Sequence, residues 1–272
     1  MSGNFSAEGI KKYLPESFDR LIFLDEVDST NEFCKREVLP DDTFVVAATQ
    51  SGGKGRLGRR FESERGGVFL SFCFSPKVPA ERLACVTGMA AVSVTRAVFD
   101  VTGEKCSVKW VNDILLSGKK IGGILCETEF CGDAPKVILG IGINCNNSAR
   151  DFFWDEEKKA GSILTETGKT VDVSCLVASL AQHLEILRGD LEEGNFSPYL
   201  EEYRRLCTTL GRDVTLLWRG GKSEFSQSGE HAGGFAMDIS DTFGLVVEYS
   251  DGTSEELHSG EVSVRGDSGE YQ

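Results

Sequence analysis

Apolar residues along this chain gather in short runs separated by polar turns, and the spacing within each run predicts its element. Residues 8–14 fit a short helix, and 21–24 (LIFL) read as an apolar strand that ends in the polar turn 25–31. In that turn Ser29 stands three residues before Glu32, the spacing of a capping box that opens a helix. Strands are expected at 43–49 and 68–74, with a long loop between them. Residues 81–100 are too many for a strand and carry only Gly88 as a breaker, so they read as a buried helix. Three more strands are expected at 106–110, 120–129 and 137–143, separated by the turns SGKK and CGDAP, and helical periodicity returns at 173–187 and 198–206. Together these predict an α+β fold, a mixed sheet covered by helices, over residues 1–207. From Gly211 the chain turns to short β runs broken by glycines, which predicts a small β-barrel over 208–266 and a disordered tail at 267–272.

Composition narrows the class without naming a function. With 272 residues, 40% hydrophobic and 26% charged, the chain can bury a sizeable core. A formal net charge of -14 makes the surface as a whole repel nucleic acid phosphates and anionic membranes, so neither DNA nor a membrane is expected as a partner. No basic start runs into an apolar stretch, and no run reaches the roughly 18 apolar residues of a membrane span, so a cytoplasmic location is expected. The nine cysteines are scattered singly and read as reduced, mostly buried small hydrophobes. Cys126 and Cys131 lack the second ligand pair of a zinc site, the three histidines are dispersed, and no protein-held metal site is expected.

The loop 51–67 (SGGKGRLGRRFESERGG) stands out, with six glycines and five basic residues in an acidic chain. Such a segment can set many backbone N–H groups and fixed positive charges around an anion. Gly53, Gly55 and Gly58 match the Gly-x-Gly-x-x-Gly spacing of dinucleotide sites, but the context fails, because the loop runs through more charge into a strand instead of opening a helix. The later motifs of a kinase and the Lys-Ser/Thr of a P-loop are absent as well. Its like charges and lack of apolar side chains predict a loop that closes only over a bound ligand.

Four motifs in order, VDSTN at 27–31, TQSGGKGRLGRRF at 49–61, KWVNDILLSGKKIGGILCE at 109–127 and GIGINCN at 140–146, resemble the biotin protein ligase family, and SGEVSVR follows at 259–265. The resemblance implies a class II synthetase-like catalytic domain followed by an SH3-like barrel. It also implies a monofunctional form, because only about 25 residues precede the Asp-Ser-Thr turn, fewer than the roughly 40 that an unaided helix-turn-helix domain needs. By the same resemblance Ser29, Thr30, Asn31 and Gln50 bind the biotin head group. Gly53, Lys54, Gly55 and Arg56 close over its acyl tail and the adenylate phosphate, and Gly123 and Gly140 let the ligand lie close to a strand. Lys120 and Arg56 are the implied catalytic cations, with Lys120 also touching biotin, while Arg56, Arg59, Asn112, Asp113 and Asn144 serve ATP. Glu261 and Arg265 are the barrel's expected contributors to the nucleotide site. Three positions depart from the family pattern: Lys54 stands for an arginine, Phe61 for a tryptophan and Val111 for a proline.

The activity that follows from the resemblance has two steps. Biotin and ATP, with Mg2+, give biotinyl-5'-AMP, and the biotinyl group then passes to a lysine of a biotin carboxyl carrier protein or domain of a biotin-dependent carboxylase. The acceptor amine must lose a proton, and Asp113 is the candidate base. A lipoate ligase of the same fold, a biotin-binding regulator and an inactive biotin-binding scaffold stay open as alternatives, and so does a homodimer.

Overall fold

The computed structural model describes residues 5–131, 134–152, 159–217, 232–258 and 261–264. Seven strands form the main sheet: β1 (Leu21–Leu24), β2 (Thr43–Ala47), β3 (Val68–Phe74), β4 (Ser107–Lys109), β5 (Asp113–Leu116), β6 (Lys119–Cys131) and β7 (Ala134–Ile143). Their order is β1-β2-β3-β7-β6-β5-β4, with β1 and β2 parallel and the remaining neighbours antiparallel. Helices α1 (Ala7–Lys11), α2 (Thr30–Arg36), α3 (Cys85–Thr102), α4 (Ile163–Thr167), α5 (Val173–Glu193) and α6 (Ser197–Leu206) complete the layer.

Alternation along the strands divides the sheet into two unlike faces. Phe44 and Val46 of β2, Leu70, Phe72 and Phe74 of β3, and Leu139, Ile141 and Ile143 of β7 pack into one large core with α3, α5 and α6. Their neighbours point the other way. On that second face Val45, Cys73 and Ile138 meet Cys34 of α2 in a small separate cluster. Ser71, Gly140 and Gly142 continue it, since Ser71 pairs with Gly140, Gly140 with Leu125, and Gly142 with Gly123. One face is thus filled with side chains, and the other carries a bare patch where Gly123, Gly140 and Gly142 meet.

The helix expected at 81–100 is α3, preceded by a 3-10 turn at Ala80–Ala84 and ended by Gly103 in the left-handed conformation (φ 74°). The span Ala80–Thr102 is long and apolar enough to cross a membrane by composition, yet 67% of its apolar window is buried inside the protein, as befits a core helix. Three elements go beyond the expectation. Strand β5 makes the SGKK turn a hairpin, with Ser117 (φ 51°) and Gly118 (φ 79°) both left-handed, the requirement of a type I' turn. Helix α4 is only five residues long, and its capping box joins Ser162 to Thr165. The capping box expected between Ser29 and Glu32 does not form: Ser29 occupies the N-cap of α2 without a side-chain capping bond, and the Glu32 carboxylate is drawn to Lys35 (2.9 Å) and Lys54 (2.8 Å).

Strands β8 (Asp213–Leu217), β9 (Ala232–Ile239), β10 (Leu245–Glu248), β11 (Ser254–Leu257) and β12 (Glu261–Val264) form a second, antiparallel sheet in the order β11-β10-β9-β8-β12, the small SH3-like end domain. Its third feature beyond expectation is β11 (SEEL), whose three exposed polar residues hide the strand from a hydrophobic reading. The boundary drawn at 207/208 falls between α6 and β8, but the core continues across it, because Val214, Ala236, Ile239 and Phe243 belong to the same cluster as α3 and α6. Phe243 seats against Gly88 of α3, where a Cβ would run into its ring, and meets Tyr203 of α6 edge-on at 5.4 Å. The Trp110 indole donates to the Phe243 carbonyl (3.0 Å), and the Arg204 guanidinium donates to the Ile239 carbonyl. Residues 265–272, including Arg265 and the expected tail, lie outside the described residues, as does the side chain of Glu261.

Phe243→Ala is expected to lower unfolding free energy by about 3 kcal/mol, the scale for removing a buried aromatic ring. It should also split the guanidinium transition in two as the end sheet loosens from the core. A single transition at the wild-type midpoint would show that the end sheet is not docked through this residue.

Candidate active site

Above the bare patch lies a cavity of about 480 Å³, walled by α2's first turn, the 51–67 loop and strands β5 to β7. Its floor depends on missing side chains. A Cβ on Gly142 would come within 2.6 Å of the Phe61 ring, one on Gly140 would overlap the buried Asn31 amide, and Gly123 faces Lys120 and Phe61. The loop forms its lid as an irregular hairpin: Gly55 N–H donates to the Arg59 carbonyl (2.7 Å), Phe61 N–H to Gly53 (2.9 Å) and Gln50 N–H to Ser63 (3.1 Å). Leu57 (φ 57°) and Gly58 (φ 73°) make its left-handed tip.

One end of the cavity is cationic, lined by Arg56, Arg59, Lys109, Lys120 and Lys159. A bulge in the β5–β6 ladder puts Lys120 there. Asp113 pairs with Gly123 and Ile114 with Gly122, but Leu115 pairs with Lys120, so one residue of β6 is skipped. That slip turns Lys120 onto the face of Asp113 and Gly123. Its Nζ lies 2.5 Å from Asp113 Oδ1. Asn112 donates to the Ile124 carbonyl (2.7 Å) and accepts from Arg56 (3.2 Å), so it fixes the arginine from below. Burial lowers the pKa of Lys109, the Asp113 carboxylate opposes that shift, and the charges of Lys159, Lys120 and Arg59 reinforce it. Such a crowd of cations is what a phosphate-bearing ligand would relieve.

The other end is neutral and polar. Thr30 N–H and hydroxyl both reach Gln50 Oε1 (2.8 and 3.2 Å), and Gln50 Nε2 donates to Ser63 Oγ (2.8 Å), which donates to the Phe61 carbonyl (2.9 Å). Ser71 Oγ lies 2.7 Å from Thr30 Oγ1 and 2.6 Å from Asn31 Oδ1, and the Asn31 amide donates to Glu127 Oε2 (2.8 Å) and the Leu125 carbonyl (3.3 Å). Lys35 then links Glu127 (2.7 Å) to Glu32, which holds Lys54 of the lid. Burial pulls the Lys35 pKa down, but the Glu127 and Glu32 carboxylates outweigh it and hold it above the usual lysine value. Polar contacts therefore join both arms of the lid through the first turn of α2.

This chain matches the model of the biotin/lipoate A/B protein ligase family over residues 23–144. It is 31% identical over 246 residues to the bifunctional ligase/repressor BirA of Salmonella typhimurium, covering 88% of this chain and 72% of that protein. The chain belongs to the biotin protein ligase family. It is also 28% identical to the biotin–[acetyl-CoA-carboxylase] ligase of Paracoccus denitrificans over 70% of this chain and 82% of that one. The biotin protein ligase from Aquifex aeolicus, solved in complex with biotin and ATP, superposes with a TM-score of 0.74 at 30% identity, covering 91% of this chain and 99% of that one.

Of the residues singled out in the sequence, Ser29, Thr30, Asn31, Gln50, Lys54, Gly55, Arg56, Arg59, Asn112, Asp113, Lys120, Gly123 and Gly140 line this one cavity of the biotin ligase fold. Two do not. Asn144 turns its amide to the Gly161 carbonyl (3.0 Å), bracing the segment beside Lys120, and Gly53 lies beneath Phe61 and Ser63, where a side chain would collide with both. Lys54 lines the cavity, but its ammonium is engaged by Glu32, so the residue that replaces an arginine serves as a latch on the lid. Residues missed in the sequence are Ser71, Glu127, Lys35, Lys109 and Lys159. Ser71 carried a readable signal as the only polar residue in the fully buried strand VFLSFCF. Lys35 and Lys159 carried none, since lysines on a helix or in a loop are ordinary.

Glu32 is held below its usual pKa of 4.5 chiefly by the hydrogen bond from Lys54 and then by that from Lys35. The latch is therefore complete above the ordinary value and is lost as pH falls through the lowered one. Glu32→Gln is expected to speed amide exchange over residues 51–61 by about threefold, the scale of a half-exposed ion pair, without changing α3 or α5. The wild type should show the same loss on acidification, after correction for intrinsic exchange. Equal protection in both proteins at neutral pH would mean the latch does not hold the lid.

Proposed function

We propose that this member of the family activates biotin with ATP to biotinyl-5'-AMP and transfers the biotinyl group to a lysine of a carboxylase's biotin carrier protein or domain. The carrying observation is a single cavity with a hydrogen-bonding pocket at one end, a bare glycine floor in the middle and a cationic cluster at the other. That layout suits a ureido head group, an acyl chain and a phosphate in sequence. Relatives that bind biotin and ATP, or act on acetyl-CoA carboxylase, support the same substrates.

In the first step the biotin carboxylate attacks the α-phosphorus, a new P–O bond forms, and the bond to the β-phosphate breaks to release pyrophosphate. Negative charge gathers on the phosphoryl oxygens, and Lys120, Arg56 and Arg59 already face that end of the cavity, so little reorganisation is needed. Among the described residues no cluster of three His, Cys, Asp or Glu could cage a metal. Asp113 is the only carboxylate among the described lining residues, and it fits a magnesium ion that arrives on the nucleotide's own phosphates, where the ion would offset the charge of the leaving pyrophosphate. In the second step the acceptor lysine attacks the acyl carbon and AMP leaves. Asp113 is the proposed recipient of the amine's proton. The lid shields the mixed anhydride from water meanwhile. Eight of the nine cysteines are described with their side chains and all eight are free, which supports a reducing compartment, the cytoplasm.

Incubating the protein with ATP, magnesium and either biotin or lipoate, and identifying the adenylate by mass spectrometry, tests the reading. Biotinyl-AMP should accumulate and lipoyl-AMP should not. Lys120→Met should keep the wild-type melting temperature and lose adenylate formation by on the order of 100-fold or more, as expected when a fixed charge leaves a phosphoryl-transfer site. An unchanged rate of pyrophosphate release would remove Lys120 from the mechanism.

A further inference from the structure

Asn31 lines the cavity but is only 3% exposed, so its hydrogen bonds inside the protein decide what it can offer a ligand. Its amide has two N–H donors and one oxygen with two lone pairs. Both donors are spent, one on Glu127 Oε2 (2.8 Å) and one on the Leu125 carbonyl (3.3 Å). Both of those partners can only accept when Glu127 is ionised. Rotating the amide by half a turn would set Asn31 Oδ1 against a carboxylate and a carbonyl, so the observed orientation is imposed from outside the cavity.

That orientation fixes proton directions further along. Asn31 Oδ1 can only accept, so the single proton of the Ser71 hydroxyl, 2.6 Å away, is committed to it. Because Ser71 cannot spend the same proton twice, the 2.7 Å contact between Ser71 and Thr30 is made by the Thr30 hydroxyl proton, and the 3.2 Å approach of that hydroxyl to Gln50 Oε1 is left without one. Gln50 Oε1 keeps the Thr30 N–H (2.8 Å). What remains toward the cavity at these two residues is acceptor capacity: one lone pair on Asn31 Oδ1 and those left on Thr30 Oγ1. Glu127 is itself kept in place by Lys35 at 2.7 Å, and neither residue lines the cavity.

We propose that Glu127, held by Lys35, is a positioning residue for substrate choice: by orienting the Asn31 amide it makes the head-group pocket a set of acceptors, selecting a ring that carries N–H donors. The proposal rests on the biotin ligase reading, in which the cyclic urea supplies those donors. A dithiolane ring has none, so it would leave buried acceptors unpaired, a strong basis for rejecting a ligand that lacks the donors. Charge on Glu127 also polarises the Asn31 amide and strengthens its oxygen as an acceptor.

The test compares the wild type with Glu127→Gln, a change of charge without a change of shape, and with Lys35→Gln, which leaves the carboxylate but removes its anchor. Pyrophosphate release is measured with biotin and ATP varied in turn, and with lipoate in place of biotin. Glu127→Gln should raise KM for biotin by about tenfold, the scale of a charge-assisted hydrogen bond, with kcat and KM for ATP within about twofold. Its preference for biotin over lipoate should fall by the same factor, and Lys35→Gln should shift both in the same direction by less. A merely structural role would move the ATP and biotin constants together, and that result, or unchanged biotin constants in both variants, overturns the proposal alone when the wild type adenylates biotin normally. Wild-type turnover of lipoate instead of biotin would overturn both this assignment and the reading beneath it.

Discussion

The period of two along β3, β6 and β7 is the constraint on which the site depends. Because Leu139, Ile141 and Ile143 must face the helices to fill the core, Gly140 and Gly142 must face away, and their lack of side chains leaves a trough across the sheet. A slip of one residue would bury the glycines and expose the core, so hydrophobic burial that stabilises the fold also holds the cavity floor in register. The same alternation brings Ser71, Gly123, Leu125 and Glu127 onto the trough's side, where α2 and the lid can reach them.

Two local departures from regularity then equip the trough. The skipped residue between Ile114 and Leu115 rotates Lys120 toward Asp113 and Gly123, which gives the cationic end its central charge. At the other end α2 begins at Thr30 with its N-cap side chain unused for capping, so the turn's polar groups serve Gln50, Ser71 and the cavity instead. Charged residues outside the cavity, Glu32, Lys35 and Glu127, connect that turn to Lys54 of the lid, so recognition of a head group and closure over it draw on the same contacts.

Much of this was legible in the chain itself. The apolar runs at Val68–Phe74 and in β7 foretold two strands of the sheet, and the ordered motifs from 27 to 146 placed most of the cavity wall. The losses have physical reasons. Strand β11 turns three polar residues to solvent, and β5 and α4 are single short segments directly after a predicted strand or loop, so none stands out as an apolar run of its own. The Ser29–Glu32 spacing satisfied the capping rule, but two lysines brought near by tertiary structure competed successfully for the carboxylate. Asn144 sits in a motif with ligand-facing glycines, yet its amide holds a neighbouring loop. Glu127 and Lys35 act at sequence separations of 96 and 92 from the residues they bind, which no local pattern records.

The central claim is that the bare strand face is what admits the head group beside Asn31. Isothermal titration of biotin into Gly140→Ala tests it most directly, because the added methyl overlaps the buried Asn31 amide while the core face of β7 is untouched. Biotin affinity should fall by on the order of 100-fold, about 2.7 kcal/mol, with a loss of stability of about 1–3 kcal/mol that leaves the protein folded at the assay temperature. Wild-type affinity in this variant would mean that biotin does not lie against the glycine floor.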